Sequence, residues 1–243
     1  MIILFMNRNS SLYRTLRWMY QPIKASKKLY QEITYIPRRQ AILARHQGDR
    51  SFVGLQIGCG SFHLPEWINT DMQGTPDIDF PIDITRKLPL PDNFLDAMYG
   101  SEVIEHIELT QARLFLAEAL RILKPGGVIR LTTPDLSNVC RVFLGLKEKV
   151  NVEEFREVWL DGEFSKEIWI NSQFRAWGHQ HLWTYESFAD ELSKAGFCHI
   201  QRCEPLQTKS NKPQLENIDY RWQGKTLPFE FACALIVEAS KPG

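Results

Sequence analysis

The chain has no CxxC pair, no apolar run long enough to cross a membrane, no surplus of either charge, and no internal repeat or low-complexity tract. Each absence removes a class of protein. The five cysteines, Cys59, Cys140, Cys198, Cys203 and Cys233, are odd in number, which suits reduced intracellular thiols better than the disulfide framework of a secreted domain, so a cytoplasmic protein is expected. Met1 to Met6 is apolar, but Asn7-Arg8-Asn9-Ser10 interrupts it far short of the roughly 20 residues a bilayer needs. Neither a spanning helix nor a cleavable signal is expected. Basic and acidic residues number 29 each, and this balance predicts no nucleic-acid partner. His179 and His181 stand at i and i+2 with no carboxylate or cysteine at helpful spacing, so no metal is expected.

What is present is a core and an uneven charge distribution. A chain of 243 residues with 44% apolar composition can bury a substantial interior, and its length favours one domain with additions. Residues 1–50 hold ten basic residues against Glu32 and Asp49. That sets off a basic helical arm, residues 1–48, from a domain of residues 49–243. Leu12, Leu16, Met19 and Tyr20 share one helical face, with breaks expected at Pro22 and Pro37. Two readings of the arm stay open: packing on the domain, or peripheral contact of residues 1–45 with anionic lipid.

The domain reads as strands alternating with turns and helices. Phe52 to Ile57 is a short apolar run ending in Gly58-Cys59-Gly60, and Trp67 to Thr70 is a second run ending in Asp71. Glycines at a strand tip let the backbone turn sharply and approach a ligand, and an acid at the next tip can accept hydrogen bonds from a ribose diol. Together they imply a site for an adenosine-like ligand at the sheet edge. A third strand is expected over Ile78 to Asp83, a fourth over Phe94 to Gly100 and a fifth over Val128 to Thr133, which makes an open parallel sheet. Between the last two, a helix capped by Thr110 is expected to turn Leu116, Ala119, Leu120 and Leu123 inward and to stop at Lys124-Pro125-Gly126-Gly127.

Residues 135–180 are aromatic-rich and irregular, and an inserted cap is expected over about residues 135–183. Thr184 suits the start of another helix, with Tyr185, Phe188, Leu192 and Ala195 inward and Gly196 at its left-handed end. Cys198 to Cys203 and Phe229 to Ala239 then form a final strand pair, joined by polar residues 204–228. The fold class is α/β: a Rossmann-like, mostly parallel sheet with an antiparallel C-terminal strand pair and helices on both faces.

The order and spacing of four segments resembles the class I S-adenosylmethionine-dependent methyltransferases: Leu55-Gln56-Ile57-Gly58-Cys59-Gly60, Trp67-Ile68-Asn69-Thr70-Asp71, Asp96 to His106, and Glu118 to Pro134. The resemblance implies that Gly58, Cys59 and Gly60 face the methionine end of S-adenosylmethionine, with Gln56 also among the cofactor-binding residues. It further implies that Asp71 binds the ribose, that Asp83 with Ile84 borders the adenine, that Ser101 and Glu102 line the sulfonium side, and that Met72 is among the cofactor-binding residues. The charge of the cofactor agrees: a sulfonium and an ammonium suit acids and carbonyls, and no lysine or arginine stands near Gly60. The sequence departs from the pattern in two places, with Gln56 where an acid is common and Phe62 where a third glycine is usual. Asp71 also follows Gly60 by only eleven residues, whereas a dinucleotide fingerprint places its acid about 20 residues on. The first crossover helix is therefore expected to shrink to about one turn, which argues against a pyrophosphate ligand.

Imidazole titrates near working pH, so His106, His179 and His181 are the candidate catalytic bases. The function expected is methyl transfer to a small-molecule, glycan or lipid-linked acceptor. The rival is a non-catalytic module that binds S-adenosylmethionine or a partner on the same fold.

Overall fold

The computed structural model describes residues 33–46, 52–146, 165–219 and 234–243. They divide into two compact units, one drawn from residues 1–50 and 74–81, the other from residues 51–73 and 82–243.

In the first unit, residues 33–45 form a helix, α1. Pro37 does not break it. A proline removes the hydrogen bond to the carbonyl four residues back, here that of Ile33, while side chains on either side tie the helix to residues 74–81. Tyr35 is buried and its hydroxyl donates to the Thr75 carbonyl at 2.8 Å, and Arg38 donates to the Pro76 carbonyl at 3.3 Å. The apolar face expected at Leu12 to Tyr20, with Pro22, lies outside the described residues.

The second unit is built on a six-stranded sheet of order β2-β1-β3-β4-β6-β5. Its strands are β1 (Gly54–Ile57), β2 (Ile68–Thr70), β3 (Leu95–Ser101), β4 (Leu123–Pro134), β5 (Cys198–Arg202) and β6 (Ala234–Ser240). β1 pairs in parallel with β2, Ile57 opposite Thr70, and with β3, Ile57 opposite Gly100; β3 pairs in parallel with β4, Ser101 opposite Thr132. β6 runs antiparallel to both of its neighbours, β4 and β5. All four residues of β1 are buried, as expected of a strand inside a parallel sheet, whose side chains alternate between two covered faces.

The strand expected at residues 78–83 does not form. Ile78, Phe80 and Ile82 are buried in alternation, the signature that suggested a strand, but Pro76 and Pro81 lack the N–H groups a ladder needs. A single backbone bond, Ile82 N–H to the Asp71 carbonyl at 2.9 Å, ties this stretch to the end of β2. Nor does the first crossover contain a helix; only turns join β1 to β2.

Helix α2 (Leu109–Ile122) starts at Glu108 rather than Thr110. The Glu108 side chain accepts from the backbone of Gln111, and the Gln111 side chain accepts from the Glu108 N–H at 3.1 Å, a reciprocal pairing that satisfies two of the helix's free donors. Its buried residues are Ala112, Phe115, Leu116, Ala119 and Ile122; Leu120 is half-buried and Leu123 already opens β4.

The described parts of residues 135–180 are more regular than their sequence implies. They hold α3 (Leu136–Phe143), capped by Asp135, and α4 (Lys166–Arg175), capped by Ser165; residues 147–164 lie outside the described set. Helix α5 (Tyr185–Ala195) begins at Thr184 and ends at Gly196 with φ 103°, the left-handed conformation that glycine adopts without a Cβ penalty. No helix among the described residues is long and apolar enough to cross a membrane.

The connection after β5 is anchored to the sheet by charge. Arg130 of β4 is fully buried and pairs with Asp219 at 2.5 Å and with Glu238 of β6 at 2.7 Å, while also donating to the Gln207 carbonyl at 2.9 Å.

Candidate functional site

The carboxyl ends of β1, β2 and β3 are adjacent, and the chain leaving each carries the residues of interest. Gly58 and Gly60 have φ of 62° and 52°, so the bend after β1 uses two left-handed residues in three. Gly58 also lacks room for a side chain, because a Cβ there would collide with Val103 Cγ2, whereas the corresponding position at Gly60 is open. The Cys59 N–H donates to the Thr70 carbonyl at 3.0 Å, and the Cys59 side chain is buried. The Asp71 carboxylate turns toward this bend and accepts from Gly60 N–H at 3.1 Å and from Gln73 N–H at 2.9 Å. A carboxylate offers about four lone-pair positions, so two remain for a ligand diol.

Gln56 explains how the bend holds without a helix. Its Nε2 donates to the Phe62 carbonyl at 2.9 Å and its Oε1 accepts from Leu64 N–H at 3.1 Å. Asn69 completes the brace, accepting from Leu64 N–H at 2.8 Å and donating to the Leu64 carbonyl at 3.0 Å. A carboxylate at position 56 could accept but not donate. The departure from the common acid is therefore a structural exchange, and both ends of the Gln56 amide are spent on residues 62–64.

The remaining cofactor candidates differ in setting. Met72 is exposed. Asp83 accepts from the Thr85 N–H at 3.0 Å and hydroxyl at 2.6 Å and pairs with Arg86 at 3.0 Å, and Ile84 is half-buried. Ser101 ends β3 and is half-buried. Glu102 follows at φ 54°, a strained value for a residue with a side chain, and its N–H donates to the Thr132 carbonyl at 2.9 Å. Between residues 51 and 85 there is neither a lysine nor an arginine. This donor set of acids and carbonyls fits a cationic nucleoside and not a phosphate.

One turn beyond Glu102, the short helical turn Ile104–His106 presents a second cluster. The backbone laces it to the stretch before α5: Gln180 N–H and His181 N–H donate to the Glu105 carbonyl at 2.7 and 3.2 Å, and Gln180 Nε2 donates to the His106 carbonyl at 2.8 Å. This draws His179 against His106, ring centres 5.1 Å apart. Glu105 is completely buried; its Oε2 accepts from the Thr133 hydroxyl at 3.1 Å, its Oε1 has no hydrogen-bond partner, and His106 Nε2 stands 3.8 Å from that Oε1. Burial, and then the nearby Glu102 carboxyl, push Glu105 well above the usual carboxylate range. Burial lowers both imidazoles, His106 further by its proximity to His179, which favours their neutral forms.

His181 does not join this pair. It packs edge-on to Trp183 at 4.4 Å, and its charged neighbours are Glu191 and Arg113. Two of the three candidate imidazoles are thus brought together. Glu105, which sequence reasoning passed over, stands between them and the sheet; its one local signal is a lone acid between apolar neighbours in Ile104-Glu105-His106-Ile107.

Comparison with known proteins finds sequence likeness in one segment. Residues 66–131 match the model of the methyltransferase domain. A Mycolicibacterium smegmatis protein named as a probable S-adenosylmethionine-dependent methyltransferase is 40% identical over 60 residues, which is 25% of this chain and 23% of that protein. The match therefore spans about a quarter of the curated relative's length. Among solved structures, an S-adenosylmethionine-dependent methyltransferase from Thermotoga maritima is 18% identical with a TM-score of 0.46, covering 92% of this chain and 97% of that one. The CurJ carbon methyltransferase is 12% identical with a TM-score of 0.48, covering 91% and 58%. Residues 66–131 are thus similar in sequence to the methyltransferase domain family, and the named relative is an S-adenosylmethionine-dependent member.

Proposed function

We propose that the chain transfers a methyl group from S-adenosylmethionine to a small-molecule, glycan or lipid-linked acceptor. The observation that carries the reading is the Asp71 carboxylate, fixed beside the Gly58–Gly60 bend at the tips of two adjacent parallel strands. In this reading Asp71 accepts the ribose hydroxyls. Gly58, Cys59 and Gly60 offer backbone to the methionine end, Met72, Asp83 and Ile84 border the adenine, and Ser101 and Glu102 line the sulfonium side. Gln56 supports the bend from behind.

S-adenosylmethionine, when bound, supplies a methyl group on a positively charged sulfur that departs as a neutral thioether. The chain's part is then alignment and the exclusion of water, plus removal of a proton where the acceptor is a hydroxyl. His106 and His179 are the groups for that step. The His179 Nδ1 lies 2.7 Å from the Gln173 carbonyl, and a carbonyl only accepts, so Nδ1 carries the proton and Nε2 keeps a free lone pair.

Calorimetric titration of the full chain with S-adenosylmethionine, with Asp71→Ala alongside, tests the reading. Loss of two hydrogen bonds to a carboxylate predicts affinity weaker by on the order of tenfold or more. Unchanged affinity in Asp71→Ala sinks the assignment. Binding without transfer of labelled methyl to any fraction of a cell extract favours a non-catalytic module.

A further inference from the structure

The geometry points to a divalent-cation site formed by Glu105, His106 and His179. One ligand atom from each residue lies within 4.8 Å of the other two. Two nitrogen or oxygen ligands about 2.1 Å from one tetrahedral ion sit roughly 3.4 Å apart, so closure draws the widest pair together by at most about 1.4 Å, shared between half-exposed imidazoles. Three features make this more than proximity. The Glu105 Oε1 is buried without a hydrogen-bond partner and has an imidazole nitrogen at 3.8 Å, too far for a hydrogen bond but suited to sharing an ion. Buried polar atoms are nearly always partnered, and an orphan calls for a bound ligand or a functional role.

The second feature is the surroundings of the ligands. Metal-bound histidines characteristically donate their other ring N–H to a backbone carbonyl or a carboxylate, which fixes the tautomer and aims the free nitrogen. His179 does so to Gln173 at 2.7 Å, and Glu105 Oε2 is held by the Thr133 hydroxyl. The third is the donor set. Two imidazoles and one carboxylate suit zinc, cobalt or ferrous iron, and three protein ligands leave coordination positions open.

Such a cation deepens the proposed methyl transfer, although its binding does not depend on that reading. An acceptor oxygen in an open position would have its pKa lowered by the metal. It would release its proton to solvent and then form the new oxygen–methyl bond as the sulfur–methyl bond breaks. His106 and His179 act as ligands in that state.

The test titrates the full chain, stripped with a chelator and desalted, with Co²⁺, read by visible absorption and calorimetry. Expected are one saturable equivalent and the visible bands of cobalt bound to nitrogen and oxygen. His106→Asn and His179→Asn should each weaken binding by at least about tenfold, since even outer-shell partners of metal ligands contribute 10–100-fold. Glu105→Gln should do the same if circular dichroism shows it folded, and the two half-exposed histidines decide the matter if it is not. No saturable uptake, or uptake unchanged in both histidine variants, overturns the site. S-adenosylmethionine titrated into the same stripped protein separates the two readings: failure there with an intact cobalt site removes the methyl-transfer reading alone.

Discussion

Two buried polar clusters sit on the same sheet and differ in one respect. Around Arg130, the guanidinium reaches Asp219, Glu238 and the Gln207 carbonyl, and the acids are bonded further: Asp219 accepts from Leu206 N–H at 2.9 Å, and Glu238 from Lys209 N–H at 3.0 Å and the Thr208 hydroxyl at 2.8 Å. Around Glu105, one carboxyl oxygen is bonded and the other is not. A network in which the charges find partners inside the chain serves the fold. A carboxyl oxygen without such a bond beside two imidazoles is the contrast on which the proposed cation site rests. The Arg130 cluster also accounts for the polar residues after β5, which fasten to β4 and β6 rather than to solvent.

The contrast can be broken most directly at Arg130. Arg130→Met leaves Asp219 and Glu238 buried without their counter-charge, and the expected loss is about 3–5 kcal/mol by urea unfolding; a loss below about 1 kcal/mol would show that the cluster is not the anchor described. An ion pair nearer the surface gives an intermediate case. Arg113 of α2 grips Glu191 of α5 with two bonds of 2.7 and 2.8 Å, and Arg113 hydrogen bonding, opposed in part by burial, takes the Glu191 carboxyl down to about 2. Its folded-state value lies below the unfolded one, about 4.3. The pair therefore contributes its stability above roughly pH 4.3 and loses it as the pH falls toward 2. Glu191→Gln should flatten this acid limb of the stability curve, as followed by thermal unfolding. The smallest change is expected at Glu105, where Glu105→Gln should alter stability by less than about 1 kcal/mol, because the amide can keep the Thr133 bond. A destabilisation comparable to that of Arg130→Met would place Glu105 among the structural charges instead.

The parts legible in the sequence were those whose cause is local. Glycines 58 and 60, the two short apolar runs and the acid at 71 mark adjacent strand tips because each acts within a few residues of itself. Thr184 and Gly196 bracket α5 for the same reason. Residues 78–83 misled because alternating burial occurs there without a ladder, and periodicity reports burial, not pairing. The bracing bonds of Gln56 are not legible locally, because its partners, the backbone at 62 and 64, become neighbours only once the crossover has lost its helix. Glu105 was passed over because its meaning depends on Thr133 and His179, 28 and 74 positions along the chain. Arg130 stands out as a lone charge in Val128-Ile129-Arg130-Leu131, but nothing nearby names Asp219 or Glu238 as its partners.

The placement of β6 has a consequence for how the molecule assembles. The last strand in chain order is an interior one, lying between β4 and β5, so β5 has no partner in the sheet until residues 234–240 arrive. Until that insertion β4 presents an unsatisfied, strongly apolar edge, the kind of surface on which nascent or heated chains stick to one another. Aggregation during expression should therefore respond more to changes in β6 than to changes of equal size in β2, the outermost strand on the opposite flank.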